Sequence, residues 1–336
     1  MKYKYLISIL LIVFLVPSFA QTKLGSGKVS GDMAINGMFY MPDSLIGADK
    51  VDSKVRANSW INLNYVNGNL TIGTRYEYYS NPLIDFEKIG YKGQGFTHYF
   101  ADYKTDLIQV TVGTFYEQFG QGLTFRAYED RQLGIDNSLL GARVKVNPYK
   151  GVFVKGIWGI ERNNFDFDYT KRTDFVRGID GEINLDEWIK IFSEKGINLT
   201  FGGSFVSKFE KSTEDIYFIL FPNDTLISRT GTIPASKIPQ NVGICAYRMN
   251  FGYKGFRLEA EYASKINDPN NSNDYIYKKG EALFTTLSYS TKGFGISGSF
   301  IRADNMDFRS QRSISTNSLM SINNIPAINR QYSYQL

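Results

Sequence analysis

The sequence predicts an all-β chain, an antiparallel transmembrane β-barrel of about fourteen strands. Three observations lead there. Period-two segments, apolar on one parity and polar on the other, recur along the chain. Many run about 9–11 residues, the length a tilted strand needs to cross a bilayer. Short turns and long polar connections alternate between them, as in barrels with short periplasmic turns and longer outside loops.

The chain opens with "MKYKYLISILLIVFLVPSFA". Lys2 and Lys4 form a basic start, Tyr5 to Val16 an apolar stretch, and Ser18-Phe19-Ala20 a small-x-small cleavage site before Gln21. The apolar stretch is too short to span a bilayer as a helix. Residues 1–20 are therefore expected to be a cleaved secretory signal, and 21–336 one outer-membrane barrel domain without an internal boundary.

Composition agrees. Hydrophobic content is 43% and mean hydropathy −0.26, which excludes a helical membrane protein but not a barrel, whose strands are only half apolar. The 31 glycines and the 15% aromatic content favour strands with aromatic girdles. A net charge of +5 without clustered basic residues argues against a nucleic-acid partner. Cys245, the single cysteine, offers neither a disulfide nor a metal pattern.

Alternation marks strands at 29–40, 70–79, 107–116, 152–161, 197–206, 255–263, 282–290 and 294–301, and a last one at 327–336. Tight turns are expected at 67–69, 104–106, 147–151, 252–255 and 291–293, where Asn, Gly and Pro supply turn geometry. Long connections lie at 41–54, 80–95, 117–138, 162–173, 209–240, 264–280 and 302–330. The connection 185–196 suits a short amphipathic helix at an interface, through Leu185, Trp188, Ile189 and Phe192. The pattern stops in mid-strand at Leu336, which suggests a piece of a larger barrel.

The stretch "GFRLEAEYA" at 255–263 shows how faces are assigned. Phe256, Leu258, Ala260 and Tyr262 share one parity and are expected against lipid; Arg257, Glu259 and Glu261 share the other and are expected in a wet lumen. The same logic adds Arg75, Glu77 and Lys155 to the lumen wall. The alternative, a soluble exported β protein, would need a core beyond the size at which single cores stop growing.

Candidate chemistry is sparse. His98, the single histidine, lies between Phe96 and Phe100 with no partner evident in the sequence, and suits a structural role. "GFGISG" at 293–298 has dinucleotide-binding spacing but sits in a strand, not between a strand and a helix. "INDPNNSNDY" at 266–275 offers oxygen ligands for calcium, yet lacks the glycine and distal glutamate of an EF-hand; a solvated, flexible outer loop is the favoured reading. No catalytic, cofactor-binding or metal set is expected. The richest stretch is 117–138, "EQFGQGLTFRAYEDRQLGIDNS". Its charges Arg126, Glu129, Asp130, Arg131 and Asp136 suit an inward-folded constriction that filters ions; the plain alternative is an exposed loop. Phe119, Leu123, Phe125, Tyr128 and Leu133 argue that it packs against something.

The block "FGQGLTFRAYEDRQLGIDNSLLGARVKVNPYKGVFVKGIWG" at 119–159 resembles a domain-of-unknown-function family of porin-like outer-membrane β-barrel proteins from Bacteroidota. Phe125 to Arg131 and Gly134-Ile135-Asp136 carry the match. The resemblance implies an outer-membrane location, a porin-like barrel and no particular substrate; members longer than this chain are expected. The resulting expectation is a channel or transporter for small polar solutes, with membrane lipid as its outer partner. The alternative is a non-conducting barrel that scaffolds or assists export or surface assembly.

Overall fold

The computed structural model describes residues 21–47, 50–51, 53–80, 92–131, 135–162, 165, 174–211, 216–220, 229–312 and 321–326. The expected signal at 1–20 and the expected strand at 327–336 lie outside the described residues.

Fourteen strands form one antiparallel sheet. It begins with β1 (Gln21–Leu24), β2 (Gly27–Phe39), β3 (Val55–Asn67), β4 (Leu70–Tyr79), β5 (Gly93–Lys104) and β6 (Ile108–Phe115). The connection after β6 holds four short strands, β7 (Glu117–Phe119), β8 (Phe125–Ala127), β9 (Glu129–Asp130) and β10 (Ile135–Asp136). The sheet resumes with β11 (Leu139–Tyr149), β12 (Val152–Glu161), β13 (Phe175–Asn184) and β14 (Asn198–Phe209). A separate hairpin, β15 (Ile216–Leu220) with β16 (Arg229–Ile233), interrupts the next connection. β17 (Asn241–Tyr253), β18 (Phe256–Lys265), β19 (Gly280–Thr291) and β20 (Phe294–Asp304) complete it.

The expected strands at 70–79 and 152–161 match β4 and β12 residue for residue. Fourteen strands are described in the sheet, and they include the four-residue β1, which was not expected. The β15–β16 hairpin was not expected inside a polar connection; the run Ile216 to Leu220 is rich in strand-forming side chains.

The tight turns lie at one end of the sheet, together with the connection 185–197, and the other long connections lie at the opposite end. At the β17–β18 turn, Lys254 (φ 44°) and Gly255 (φ 87°) are both left-handed, the hairpin geometry whose twist matches that of the strands. At Gly255 a Cβ would also lie 2.3 Å from the Ser290 carbonyl oxygen. The β13–β14 connection carries the expected helix, Lys190–Lys195. Trp188 anchors it by donating its indole N–H to the Lys150 carbonyl at 2.7 Å.

Alternate side chains divide as expected. On β18, Phe256 and Tyr262 are exposed while Glu261 is 1% exposed. Met33, Ile35, Val112, Trp158, Ile179, Tyr247, Leu287 and Phe300 continue the exposed apolar face around the sheet. In water this band would far exceed the few hundred Å² of apolar patch that soluble proteins tolerate; it is the lipid-facing surface of a transmembrane barrel. The sheet curls to match. Arg131 lies over the Trp60 ring of β3 at 3.7 Å, while the Gln121 backbone N–H donates to Glu261 of β18 at 2.7 Å. One segment thus touches strands far apart in sheet order.

Candidate functional site: a folded-in segment and the cavity beside it

After β6, residues 116–131 and 135–138 turn into the barrel. Gly120 and Gly122 take positive φ at the β7–β8 turn, and Gly120 lies so close to the Glu261 carboxylate that a Cβ there would sit 2.2 Å from it. Phe119 and Leu123 are fully buried and Phe125 is 1% exposed. They pack with Met306, Phe308 and Ile322 of two further inward stretches, 305–312 and 321–326, against Val176, Val206, Val242, Ile244, Ala246, Ala263 and Ala282 of the wall. Small wall residues leave room for the large plug residues. Each fully buried Phe or Leu contributes about 1.5–3 kcal/mol.

Residues 321–326 are stitched to the first segment by hydrogen bonds. Arg126 N–H donates to the Ile322 carbonyl at 2.8 Å and Asn324 N–H to that of Gly122 at 3.0 Å. The Asn137 amide donates to the Arg126 and Ser321 carbonyls, and that of Asn323 to Leu123 at 3.0 Å.

Ion pairs fasten the plug to the wall. Arg162, 1% exposed, joins Asp136 of the segment at 2.5 Å to Glu77 of β4 at 2.8 Å. Arg75 pairs with both Glu129 oxygens, at 2.8 and 3.1 Å, and Arg131 closes on Glu129 at 2.9 Å. Burial alone would raise the Asp136 carboxyl, but the Arg162 guanidinium and His98 hold it well below the usual carboxylate range. Farther round, Glu117 meets Lys145 at 2.6 Å and Arg143 and Lys155 at 3.3 Å each. Its carboxyl is likewise lowered: Lys145 and Lys155 outweigh the effect of burial. Arg248 of β17 holds Asp180 and Glu182 of β13 at 2.5 and 2.9 Å.

Of the five charges singled out on this segment, Glu129, Arg131 and Asp136 enter one network with the wall. Arg126 lies apart, its guanidinium 4.5 Å from the centre of the Tyr128 ring. Asp130 pairs in register with Ile135. Leu133 and Gly134 lie outside the described residues. The wall candidates Arg75, Glu77, Lys155, Arg257, Glu259 and Glu261 all sit on the inward parity, but not all in a wet lumen. Glu77 and Glu261 are each 1% exposed beneath the plug, whereas Arg257 is exposed.

Two expectations need correction. His98 does have partners. A bulge between Arg75 and Tyr76 shifts the register, so Phe96 is exposed while His98 is buried. Its Nε2 lies 2.9 Å from the Tyr116 hydroxyl and 3.1 Å from Asp136. Parity counting cannot foresee a bulge. Likewise 266–275 is not a solvated loop: Asp268 and Asn270 are fully buried, because the buried Lys208 ammonium of β14 draws Asp268 to 3.0 Å. Arg162, Lys208, Asp180 and Arg248 were not singled out; for Asp180 and Arg248, charge on the inward parity was the available signal.

The His98 cluster does not form a nucleophilic relay. Ser138 Oγ, at 3.4 Å, and Asp136 meet the same ring nitrogen, whereas a relay needs nucleophile and orienter on opposite nitrogens. Glu77, His98 and Asp136 place ligand atoms within 4.8 Å of one another. Arg162 and Arg75 already neutralise both carboxylates, so a cation would have to displace guanidinium groups.

Beside the plug lies a cavity of about 500 Å³. Polar side chains of β2 to β6 line it, including Asp32, Asn62, Asn64, Thr71 and Gln109, with the charged Arg75 and Asp102, and Arg143 of β11 joins them. His98 and Tyr116 bound it where the segment begins.

The chain belongs to DUF6029, a family of unknown function, whose model matches residues 1–336. No curated protein matches the sequence. Among solved structures, the chain is similar to the outer membrane channel DcaP of Acinetobacter baumannii, at 12% identity over 85% of this chain and 82% of that one, with TM-score 0.33. OccAB4 of Acinetobacter baumannii gives 9% identity over 83% and 82%, with TM-score 0.34. A mutant porin of Rh. blastica gives 13% over 81% and 94%, with TM-score 0.28. Likenesses this distant carry no argument here; the fold rests on the chain's own sheet and faces.

Proposed function

We propose that this DUF6029 member is an outer-membrane barrel that passes small polar solutes passively, along the β2–β6 wall and beside the 116–138 segment. The observation that carries this is the polar cavity of about 500 Å³ lying between that wall and the plug. The export-type sequence at 1–20 and the apolar outer face support an outer-membrane location, with lipid as the outer partner. No chemical step and no cofactor is assigned. The segment acts as constriction: Arg126, Glu129, Asp130, Arg131 and Asp136 set the local field, and Glu129 and Arg131, whose side chains are 21% and 28% exposed, meet passing ions most directly.

The second reading is a non-conducting scaffold or accessory for export or surface assembly. The plug's apolar packing against β13 to β19 and its ion pairs with Arg75, Lys145, Lys155 and Arg162 favour it. Planar-bilayer recording of the full chain separates the two. Discrete conductance is expected, with Glu129→Gln plus Asp130→Asn shifting the reversal potential toward anions and Arg126→Gln plus Arg131→Gln toward cations. A correctly folded barrel that never conducts would support the scaffold instead.

A further inference from the structure

We infer that the cavity along the β2–β6 wall is a binding site for an uncharged saccharide of mono- to disaccharide size; this rests on the reading of that cavity as a solute path.

The first argument is charge. Arg75 is taken by Glu129 and Glu77. Arg143 lies 3.3 Å from Glu117 and 3.6 Å from Asp102. Asp102 also accepts from Gln109 at 3.0 Å and from the Thr111 hydroxyl at 2.5 Å. Asp32 is exposed to water and accepts from the Asn62 amide at 2.8 Å. The buried lining charges are thus answered by the wall and by the folded-in segment. Of the charged lining groups among the described residues, only Asp32, at the water-exposed rim, lacks a cationic partner. An ionic solute that shed its hydration among the buried lining groups would therefore find no free countercharge, which is costly.

The second argument is hydrogen-bonding stock. Among the described residues, the Asn64 amide and the Thr71 hydroxyl take no side-chain hydrogen bond, although both line the cavity. Each can donate and accept, and a ligand that suits them must also do both at closely spaced positions. Neighbouring amides are held in fixed orientations, Asn62 between Asp32 and the Arg75 guanidinium and Gln109 on Asp102. Vicinal hydroxyls, each both donor and acceptor, fit such a surface; a simple amine or a simple carboxylate does not.

The third argument is the aromatic floor. The Phe100 ring of β5 occupies the space over Gly73 of β4: a Cβ on Gly73 would lie 2.4 Å from its Cε1 and 2.6 Å from Asn64 Oδ1. The missing side chain therefore seats the ring beside the free amide. An aromatic surface next to polar groups of both kinds suits the C–H face and hydroxyl rim of a pyranose. The volume falls within the range of pockets that enclose small ligands, about 300–1,000 Å³.

The test uses the full chain purified in detergent and the same chain in liposomes. Equilibrium dialysis with labelled maltose and sucrose reads binding; liposome swelling reads passage. Saturable binding of at least one sugar is expected, with gluconate and arginine binding at least tenfold more weakly. Asn64→Leu with Thr71→Val should weaken sugar binding by roughly tenfold, the loss of one to two hydrogen bonds. The near-isosteric Thr71→Val alone should weaken it less, and serves if the double variant does not fold. Sugar binding without swelling would sustain this inference and overturn solute passage. Swelling without saturable sugar binding would overturn this inference alone. Gluconate or arginine binding as tightly as the sugars, or unchanged sugar affinity in the folded variants, would also overturn it.

Discussion

The two sides of the barrel interior are built from the same alternating strands and differ in what their inward parity carries. From β13 to β19 the inward residues include Val176, Val206, Ile244, Ala246, Ala263 and Ala282, which large plug side chains cover, beside buried charges that are paired, Asp180 with Arg248 and Lys208 with Asp268. From β2 to β5 they include Asp32, Asn62, Asn64, Arg75 and Asp102, and a cavity remains. A small apolar wall residue exchanges water for a plug side chain at a gain. An amide or carboxylate does so only if every polar group finds a partner. The inner face of each wall thus decides whether the folded-in segment seals it or leaves it wet.

The largest expected effect removes the clamp between the sides. Arg162→Met removes the closest cation from both Asp136 and Glu77, leaving His98 at 3.1 Å from Asp136 and Arg75 at 3.3 Å from Glu77, and removing one partner of a buried ion pair costs about 3–5 kcal/mol. The thermal midpoint of the folded band on gels should fall sharply, while Arg257→Met, at an exposed inward site, should leave it nearly unchanged. Phe125→Ala attacks the packed side by cavity formation and should cost about 3–5 kcal/mol. Truncating half-buried Phe100 on the polar side should cost distinctly less in the same assay. Leu258→Arg tests the outer face: a charge near the membrane midplane costs about 2–4 kcal/mol and should reduce assembly, whereas Glu259→Gln should assemble normally.

The smallest effect concerns pH. Asp136 and Glu117 are held below their ordinary values, about 3.9 and 4.3 in unfolded chains. Their contribution to stability is complete above those values and is lost as pH falls through the lower folded ones. Stability should therefore stay level from pH 7 to about 5 on their account and decline only in stronger acid. A decline already complete near pH 6 would contradict their pairing.

Much of the scaffold was legible in the sequence because the period of two is a local property. β4 and β12 were read to the residue, and a short helix was read in the connection 185–196, although of the four apolar residues that suggested it only Phe192 lies within Lys190–Lys195. The inward course of 117–138 was legible in part, since Phe119, Leu123 and Phe125 in a charged connection need a packing partner. What escaped depends on distant residues. The His98 cluster requires the β4–β5 bulge, and the burial of Asp268 requires Lys208, 60 positions earlier in the chain. The cavity itself is left where the plug does not reach, and no stretch of sequence encodes an unfilled volume.

The difference between the two walls is open to one direct measurement. Cys245, exposed on the outer face, is first replaced by Ser. Thr71→Cys and Val242→Cys are then introduced separately and treated with a charged methanethiosulfonate during planar-bilayer recording. Thr71→Cys should react and lose conductance, because it lines the cavity; Val242→Cys, fully buried beneath the plug, should neither react nor change. Block at Val242→Cys with none at Thr71→Cys would place the path on the opposite wall and contradict a passage along β2 to β6.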